Sequence, residues 1–273
     1  MQGFFYTYNT MIASIVWDLS PEIVEGFHVR WYGLLFALGF LGAYQVLQII
    51  FKREGHSMET LDGLTFAAFI GTLIGARLGH CMFYEPGYYL SHPLDILKVW
   101  EGGLASHGGV IGVLSAFWIY AKRQKLDYWW VLSRAAIVTP ITGACIRLGN
   151  LANSEIYGFD TDLPWGFIFT HAGETVAKHP TQLYEASAYL LLSLGMIWYY
   201  FAQSKRGKTA GTFNFIGTFL IGIFSARFLI EFVKYNQVDF ESGMFLNMGQ
   251  ILSIPFIIAG IAALYVHFKQ AKA

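Results

Sequence analysis

Charge is scarce in this chain. Only 13% of its residues are Asp, Glu, Lys or Arg, about half of the roughly 25% usual in a soluble domain, so water is not its main solvent. The 18 basic and 18 acidic side chains cancel, which leaves no net charge to point to nucleic acid, and no such partner is expected. Cysteine is nearly absent: Cys81 and Cys145 both sit in apolar runs, which excludes a disulfide framework and a cysteine-rich metal site and suits small buried packing residues. The first 29 residues lack the basic lead, long apolar core and small-residue cleavage site of a signal peptide, the apolar run 11–17 being too short, so the N-terminus is expected to be retained. Low-complexity tracts and repeats of 20 to 50 residues are also missing.

Long apolar runs are what the sequence does have. A hydrocarbon core of about 30 Å takes about 20 apolar residues as helix, and windows of that kind fall at 31–51, 61–84, 104–121, 128–149, 182–202, 211–232 and 245–268. They are apolar nearly all round rather than along one stripe, as lipid or bundle surroundings require. The fold class expected is therefore an all-α membrane protein of seven transmembrane helices, one integral domain over 1–273 with an N-terminal arm at 1–29 and a head or lid loop at 150–181. Lys52, Arg53, Lys122, Arg123, Lys125, Lys205, Arg206, Lys208, Lys269 and Lys272 follow odd-numbered spans, against Arg30, Lys98, Lys178 and Lys234 on the other side. That ten-to-four bias places the N-terminus outside and the C-terminus in the cytoplasm. Trp17, Trp31, Trp100, Trp129, Trp130 and Trp165 fall near span ends or in connections, where tryptophan anchors at the headgroup level. Gly71, Gly75 and Gly79 repeat every four residues on one face of the second span and predict a close helix approach.

The remaining arginines, Arg77, Arg134, Arg147 and Arg227, lie inside spans, at an insertion cost of about 2.5–3.5 kcal/mol each. Arg134 is near enough to the cytoplasmic end to snorkel. The other three share the outer level: Arg77 two turns from its outer end, Arg147 at its outer end, and Arg227 in the outer third with Glu231 four residues on, a spacing that permits a same-face pair. A structural salt bridge accounts for that pair as well as a functional one. Tyr32, His107, His179, Gln182 and Glu185 open their spans on the same side, so polar groups from six helices meet at one depth. Arginine presents phosphate with a planar, permanently charged fork, and the depth suits a phospholipid head group. His107 lies among glycines in Ser106-His107-Gly108-Gly109, and imidazole as a side-chain type can be neutral or charged near physiological pH, which fits proton transfer or, equally, a structural role. No His or carboxylate stands at ligand spacing from it, so neither a metal nor another cofactor is expected. The loop beginning Asn150, Asn153, Glu155, Gly158 is longer than an ordinary connection; it reads either as a lid or as an ordered loop satisfying its own backbone.

These segments resemble the prolipoprotein diacylglyceryl transferases, bacterial enzymes that attach the first lipid to lipoproteins. The resemblance runs through most of the chain: Trp31-Tyr32-Gly33, Gly75-Ala76-Arg77-Leu78-Gly79, Gly102 to Gly109, then Arg147-Leu148-Gly149-Asn150-Leu151-Ala152-Asn153-Ser154-Glu155-Ile156-Tyr157-Gly158 against the family's R-x-G-N-F-x-N-x-E-x-x-G, then His179 to Glu185, Arg227 with Glu231, and Met248-Gly249-Gln250. Ile146, Leu151 and Ile223 depart from the usual glycine, phenylalanine and tyrosine. The resemblance implies a multi-pass enzyme of the bacterial inner membrane, active toward the extracytoplasmic side. It would move diacylglyceryl from phosphatidylglycerol to the lipobox cysteine of a preprolipoprotein, with no cofactor. His107 would act as base; Arg147 and Arg227 would stabilise the departing phosphate; Tyr32, Asn150, Asn153, Glu155 and Gly158 would bind substrate; Arg77, His179, Gln182, Glu185 and Glu231 would support. A transporter lined by the same charges and a non-catalytic phospholipid-binding scaffold are the rival readings, and a retinal-type receptor is a poorer one, because the last span has no lysine midway for a Schiff base.

Overall fold

A computed structural model describes residues 14–24, 26–99, 102–205, 211–235 and 243–270. Trp100, expected as an anchor, and Arg206, Lys208 and Lys272, used above for orientation, lie outside the described residues. Among those described there are seven long helices: α1 (Trp31–Glu54), α2 (Met58–Phe83), α4 (Ser106–Gln124), α5 (Tyr128–Ala152), α6 (Thr181–Lys205), α7 (Thr212–Ile230) and α8 (Met248–Gln270), with a short α3 (Pro86–Ser91) after α2. Five of the segments are long and apolar enough to cross a membrane: α1, α2, α5, α7 with its 3-10 extension to Val233, and α8. The described residues are mostly helical, as expected of an all-α membrane protein. Short strands also form: β1 (Ile15–Trp17), β2 (Glu22–Val24), β3 (Phe27–Arg30) and β4 (Phe167–Phe169), with β1 parallel to β4 and β2 antiparallel to β3. The paired sequences Ile15-Val16-Trp17 and Phe167-Ile168-Phe169 are rich in the β-branched and aromatic residues that favour a pleated surface.

The chain divides into two compact units. The first comprises the described residues of Met1–Ala43, Thr139–Ala210 and Gly217–Ala273, and the second those of Tyr44–Val138 and Gly211–Ile216.

In the second unit, α2 and α4 meet over glycine. A methyl-sized group on Gly79 would lie 2.8 Å from the Gly108 Cα, and one on Gly75 would lie 2.7 Å from the Gly112 Cα. The glycine stripe of α2 thus has a counterpart on α4, and the two backbones touch as small residues allow. Phe51, Leu61, Leu64, Ala121 and Val131 form the buried core at the other end of this unit. Beside it Arg134 corrects the snorkelling expectation. Its side chain is buried and bound by Glu54, which receives Arg134 Nε at 2.9 Å, Nη2 at 2.9 Å and the indole N–H of Trp130 at 2.7 Å. A paired guanidinium has no need to reach water.

In the first unit, α1 and α5 approach closely at Gly39, where an added Cβ would meet Cys145 Cβ at 2.9 Å, and α7 meets α8 at Gly217 and Gly260. Leu151, Phe167 and Phe169 are buried together with Trp17, Tyr157 and Leu183 packed against them. Trp17, expected as an interfacial anchor, stacks on Phe167 with centroids 5.3 Å apart and donates its indole N–H to the Leu151 carbonyl at 3.0 Å. The loop between α5 and α6 is therefore an ordered head.

Candidate functional site

The C-terminal end of α5 sets up the site. Asn153 N–H and Glu155 N–H still bond the carbonyls of Gly149 and Asn150, both at 3.0 Å, while Ser154 and Ile156 turn into the left-handed region at φ 54° and 61°. A β-branched residue in that region is strained by about 1–2 kcal/mol, and the turn is held by side chains. Asn150 and Asn153 each donate a side-chain N–H to Glu155 Oε1, at 2.8 and 3.2 Å, and Gln182 donates to the Glu155 carbonyl at 2.7 Å. Glu155 itself stays exposed, facing outward from a fixed backbone.

Arg147, one turn back on α5, donates Nη1–H to Asn150 Oδ1 at 3.1 Å and pairs through Nε with Glu185 Oε2 at 2.8 Å. Glu185 of α6 is fully buried, and its other oxygen takes Lys234 Nζ at 2.9 Å. Lys234 also lies 3.7 Å from Glu231 Oε1, and the same carboxylate oxygen is 3.7 Å from Arg227 Nε. Arg147, Glu185, Lys234, Glu231 and Arg227 thus form one chain of alternating charge. It has three cations for two buried carboxylates, an excess of one positive charge. Arg227 is the loosest member, its side chain 35% exposed. Gly249, at the start of α8, presses on the Glu231 carboxylate so closely that a Cβ there would force that side chain to shift, and Asn247 Nδ2 donates to the Glu231 carbonyl at 3.4 Å.

The other expected residues take varied places. Tyr32 packs on Gly149, whose added Cβ would lie 2.7 Å from its ring, within electrostatic reach of Arg147 and Glu155. Gly158 is enclosed by protein: its N–H bonds the His179 carbonyl at 2.9 Å, and a Cβ there would collide with the Val233 carbonyl, so its visible role is close packing. His179 Nδ1 lies 3.2 Å from the Tyr184 hydroxyl, and burial pushes its pKa down. Arg77 and His107 belong to the second unit. Arg77 is buried on main-chain carbonyls, and His107 is exposed in the first turn of α4.

Sequence reading missed two members. Lys234 counted only as a charge outside the spans, yet it is 3% exposed and joins both acids; its signal was the three-residue spacing from Glu231. Tyr189 stands four residues after Glu185, is buried with Ala144 and Ala186 in a cluster against which Ile223 packs, and lies within electrostatic reach of Glu185 and Arg147.

The head carries a second charged cluster. Lys178 Nζ binds Asp160 at 2.5 Å, Glu174 at 2.9 Å and the Tyr235 hydroxyl at 3.0 Å; Tyr157 donates to Glu174 at 2.7 Å. The bond from Lys178, then that from Tyr235, holds the Asp160 pKa down, and Lys178 and then Tyr157 do the same for Glu174. Burial works against the Lys178 charge, but the bonds to Asp160, Tyr235 and Glu174 outweigh it and raise its pKa, while burial and then Glu174 push Tyr157 up to about 12. Depressed carboxylates stabilise the fold above their ordinary values of 3.8 and 4.5 and lose that contribution as pH falls through the folded pKa. Amide hydrogen exchange in 157–178, corrected for intrinsic rate, should be unchanged from pH 9 to about pH 5 and should accelerate on further acidification. Equal protection at pH 3 and pH 7 would contradict a role for this cluster in holding the head.

Fold and site together define a multi-pass helical membrane protein with a buried, net-positive cluster of arginine, lysine and carboxylate where α5, α6, α7 and α8 end or begin. The chain belongs to the prolipoprotein diacylglyceryl transferase family, whose model matches residues 21–266. It is 45% identical over 259 residues to the phosphatidylglycerol–prolipoprotein diacylglyceryl transferase of Tolumonas auensis, covering 94% of this chain and 98% of that one. Enzymes of the same name from Chloroherpeton thalassium and Bacteroides fragilis are 43% and 44% identical, covering 94% and 96% of this chain and 96% and 98% of theirs.

Proposed function

We propose that this protein transfers the diacylglyceryl group of phosphatidylglycerol to the lipobox cysteine of a preprolipoprotein, forming a thioether and releasing sn-glycerol 1-phosphate. It acts in the bacterial inner membrane, crossing it seven times with the N-terminus outside, the C-terminus in the cytoplasm and the site toward the extracytoplasmic side. The seven long helices and the ten-to-four distribution of basic residues support that orientation. The observation that carries the chemistry is the charge chain from Arg147 to Arg227, with its one positive charge in excess. Such a cluster suits a phosphate held at the membrane surface.

In the reaction the thiol loses its proton to His107, the thiolate sulfur attacks the glyceryl carbon bonded to phosphate oxygen, and the carbon–oxygen bond breaks with its electron pair leaving on phosphate. A thiol of ordinary pKa about 8.5 is mostly protonated at neutrality, so a base raises the thiolate fraction. Arg147 and Arg227 stabilise the charge that grows on the departing phosphate. Glu185, Lys234 and Glu231 fix the two guanidiniums, and Tyr32, Asn150, Asn153 and Glu155 orient the head group and the loop. His179, Gln182 and Gly158 support the loop from beneath. Commitment of Arg134 to Glu54 argues against a continued ion path through the second unit.

The test is mass spectrometry of a lipobox peptide incubated with purified protein and phosphatidylglycerol. A diacylglyceryl mass gain is expected with wild type and a loss of at least about 100-fold in rate with a folded His107→Gln variant. Bound lipid without product from wild type would favour the scaffold reading.

A further inference from the structure

We propose that Arg77 is a positioning residue for His107, holding the segment that leads into α4 so that the imidazole meets the thiol. The inference rests on His107 being the proton acceptor.

Arg77 is 3% exposed, and its hydrogen bonds in the described residues all go to main-chain carbonyls. Nη2 donates to Asp95 at 2.6 Å and Nε to Ile96 at 2.9 Å. Nη1 donates to Gly102 at 2.7 Å and Gly103 at 3.4 Å. The guanidinium also lies over the Tyr89 ring, 5.0 Å from its centre. A permanently charged side chain in a membrane helix thus ties together two stretches of one connection. Asp95 contributes its carbonyl to Arg77, while its carboxylate takes Lys98 at 2.7 Å and Tyr88 at 2.7 Å.

The grip is transmitted to His107 over a few residues. Gly102 and Gly103 have φ of 90° and 68°, a left-handed turn that only glycine makes without strain, and a Cβ on Gly103 would fall 2.8 Å from Arg77 Nη1. From there the Ala105 N–H bonds the Ala76 carbonyl at 2.9 Å, and Gly108 seats on Gly75 and Gly79. The backbone at His107 is therefore fixed on both sides, by Ala105 and Gly108, to the turn of α2 that carries Arg77. Displacement of a reacting group by about 1 Å costs on the order of 100-fold in rate.

Lysine keeps the charge of Arg77 but lacks the planar fork that reaches four carbonyls. Arg77→Lys should lower kcat at pH 7 by at least 10-fold, with KM for phosphatidylglycerol unchanged and the melting temperature in detergent within a few degrees of wild type. The discriminating readout is the pH profile with a lipobox peptide. As pH rises past about 8.5 the peptide ionises without help, so the defects of both Arg77→Lys and His107→Gln should shrink together by pH 9.5. A double variant should be no slower than His107→Gln alone. Arg77→Lys at the wild-type rate, or a defect of equal size at every pH, would overturn the inference while leaving His107 in place. A His107→Gln enzyme as fast as wild type would overturn the reading of His107 and the inference with it.

Discussion

Replacement of Arg147 by alanine should lower kcat for thioether formation by about 10²–10³-fold or more, the range seen when one preorganised stabiliser of developing charge is removed. The protein should remain folded. Glu185 is the group most exposed to the loss, since Arg147 Nε lies 2.8 Å from it, but Lys234 stays on its other oxygen at 2.9 Å, so no buried carboxylate is left alone. Arg147→Lys restores charge without the fork that reaches both Glu185 and Asn150, and should recover only part of the rate. Turnover by mass spectrometry beside a thermal melt separates the two effects. Full activity in a folded Arg147→Ala enzyme would remove the arginine from the mechanism.

The largest effect on stability should come from Glu185→Ala. This side chain has no exposed surface and compensates both Arg147 and Lys234. Removing one partner of a buried pair leaves uncompensated charge and costs about 3–5 kcal/mol. Lys234 bears most of it, since it is 3% exposed and its remaining partner Glu231 is 3.7 Å away. Pairing Glu185→Gln with Lys234→Met, which removes both charges at similar volume, should regain much of that stability and still leave turnover low, because Arg147 then keeps only its bond to Asn150 and loses the carboxylate that aims its Nε. Denaturant unfolding in mild detergent gives the comparison, and a Glu185→Ala protein as stable as wild type would mean the pair holds nothing.

Much of the helical plan was legible because a membrane leaves few choices: backbone groups must be satisfied within each segment, so apolar runs of about 20 residues read as helices. The glycine stripe of α2 was legible for the same reason, since three glycines at four-residue spacing occupy one face. What faced it was not, because α4 carries its own Gly108 and Gly112 in a region read for chemistry around His107. Pairings across the chain were hidden generally. Arg134 looked able to snorkel because Glu54 is 80 residues away in sequence. Lys234 looked like a loop charge, because charge counting sorts residues by side of the membrane and says nothing of Glu185, 49 residues earlier. In the candidate site the members that motifs marked, Arg147, Asn150, Asn153 and Glu155, do meet; the members that join them, Lys234 and Tyr189, are set by packing of separate helices, which periodicity does not encode. Short strands escaped because three residues offer no alternation to read.

The parallel pairing of β1 with β4 bears on the order in which the molecule is made. Thr170 meets the Trp17 carbonyl and Asp18 across 153 and 152 residues, so β1 waits while four long helices are synthesised before its neighbour exists. Contacts of that separation form late and slowly. Until the head emerges, the edge of β1 that pairs with β4 stays open, which makes this interval the one in which a chaperone or a neighbouring chain has most to bind.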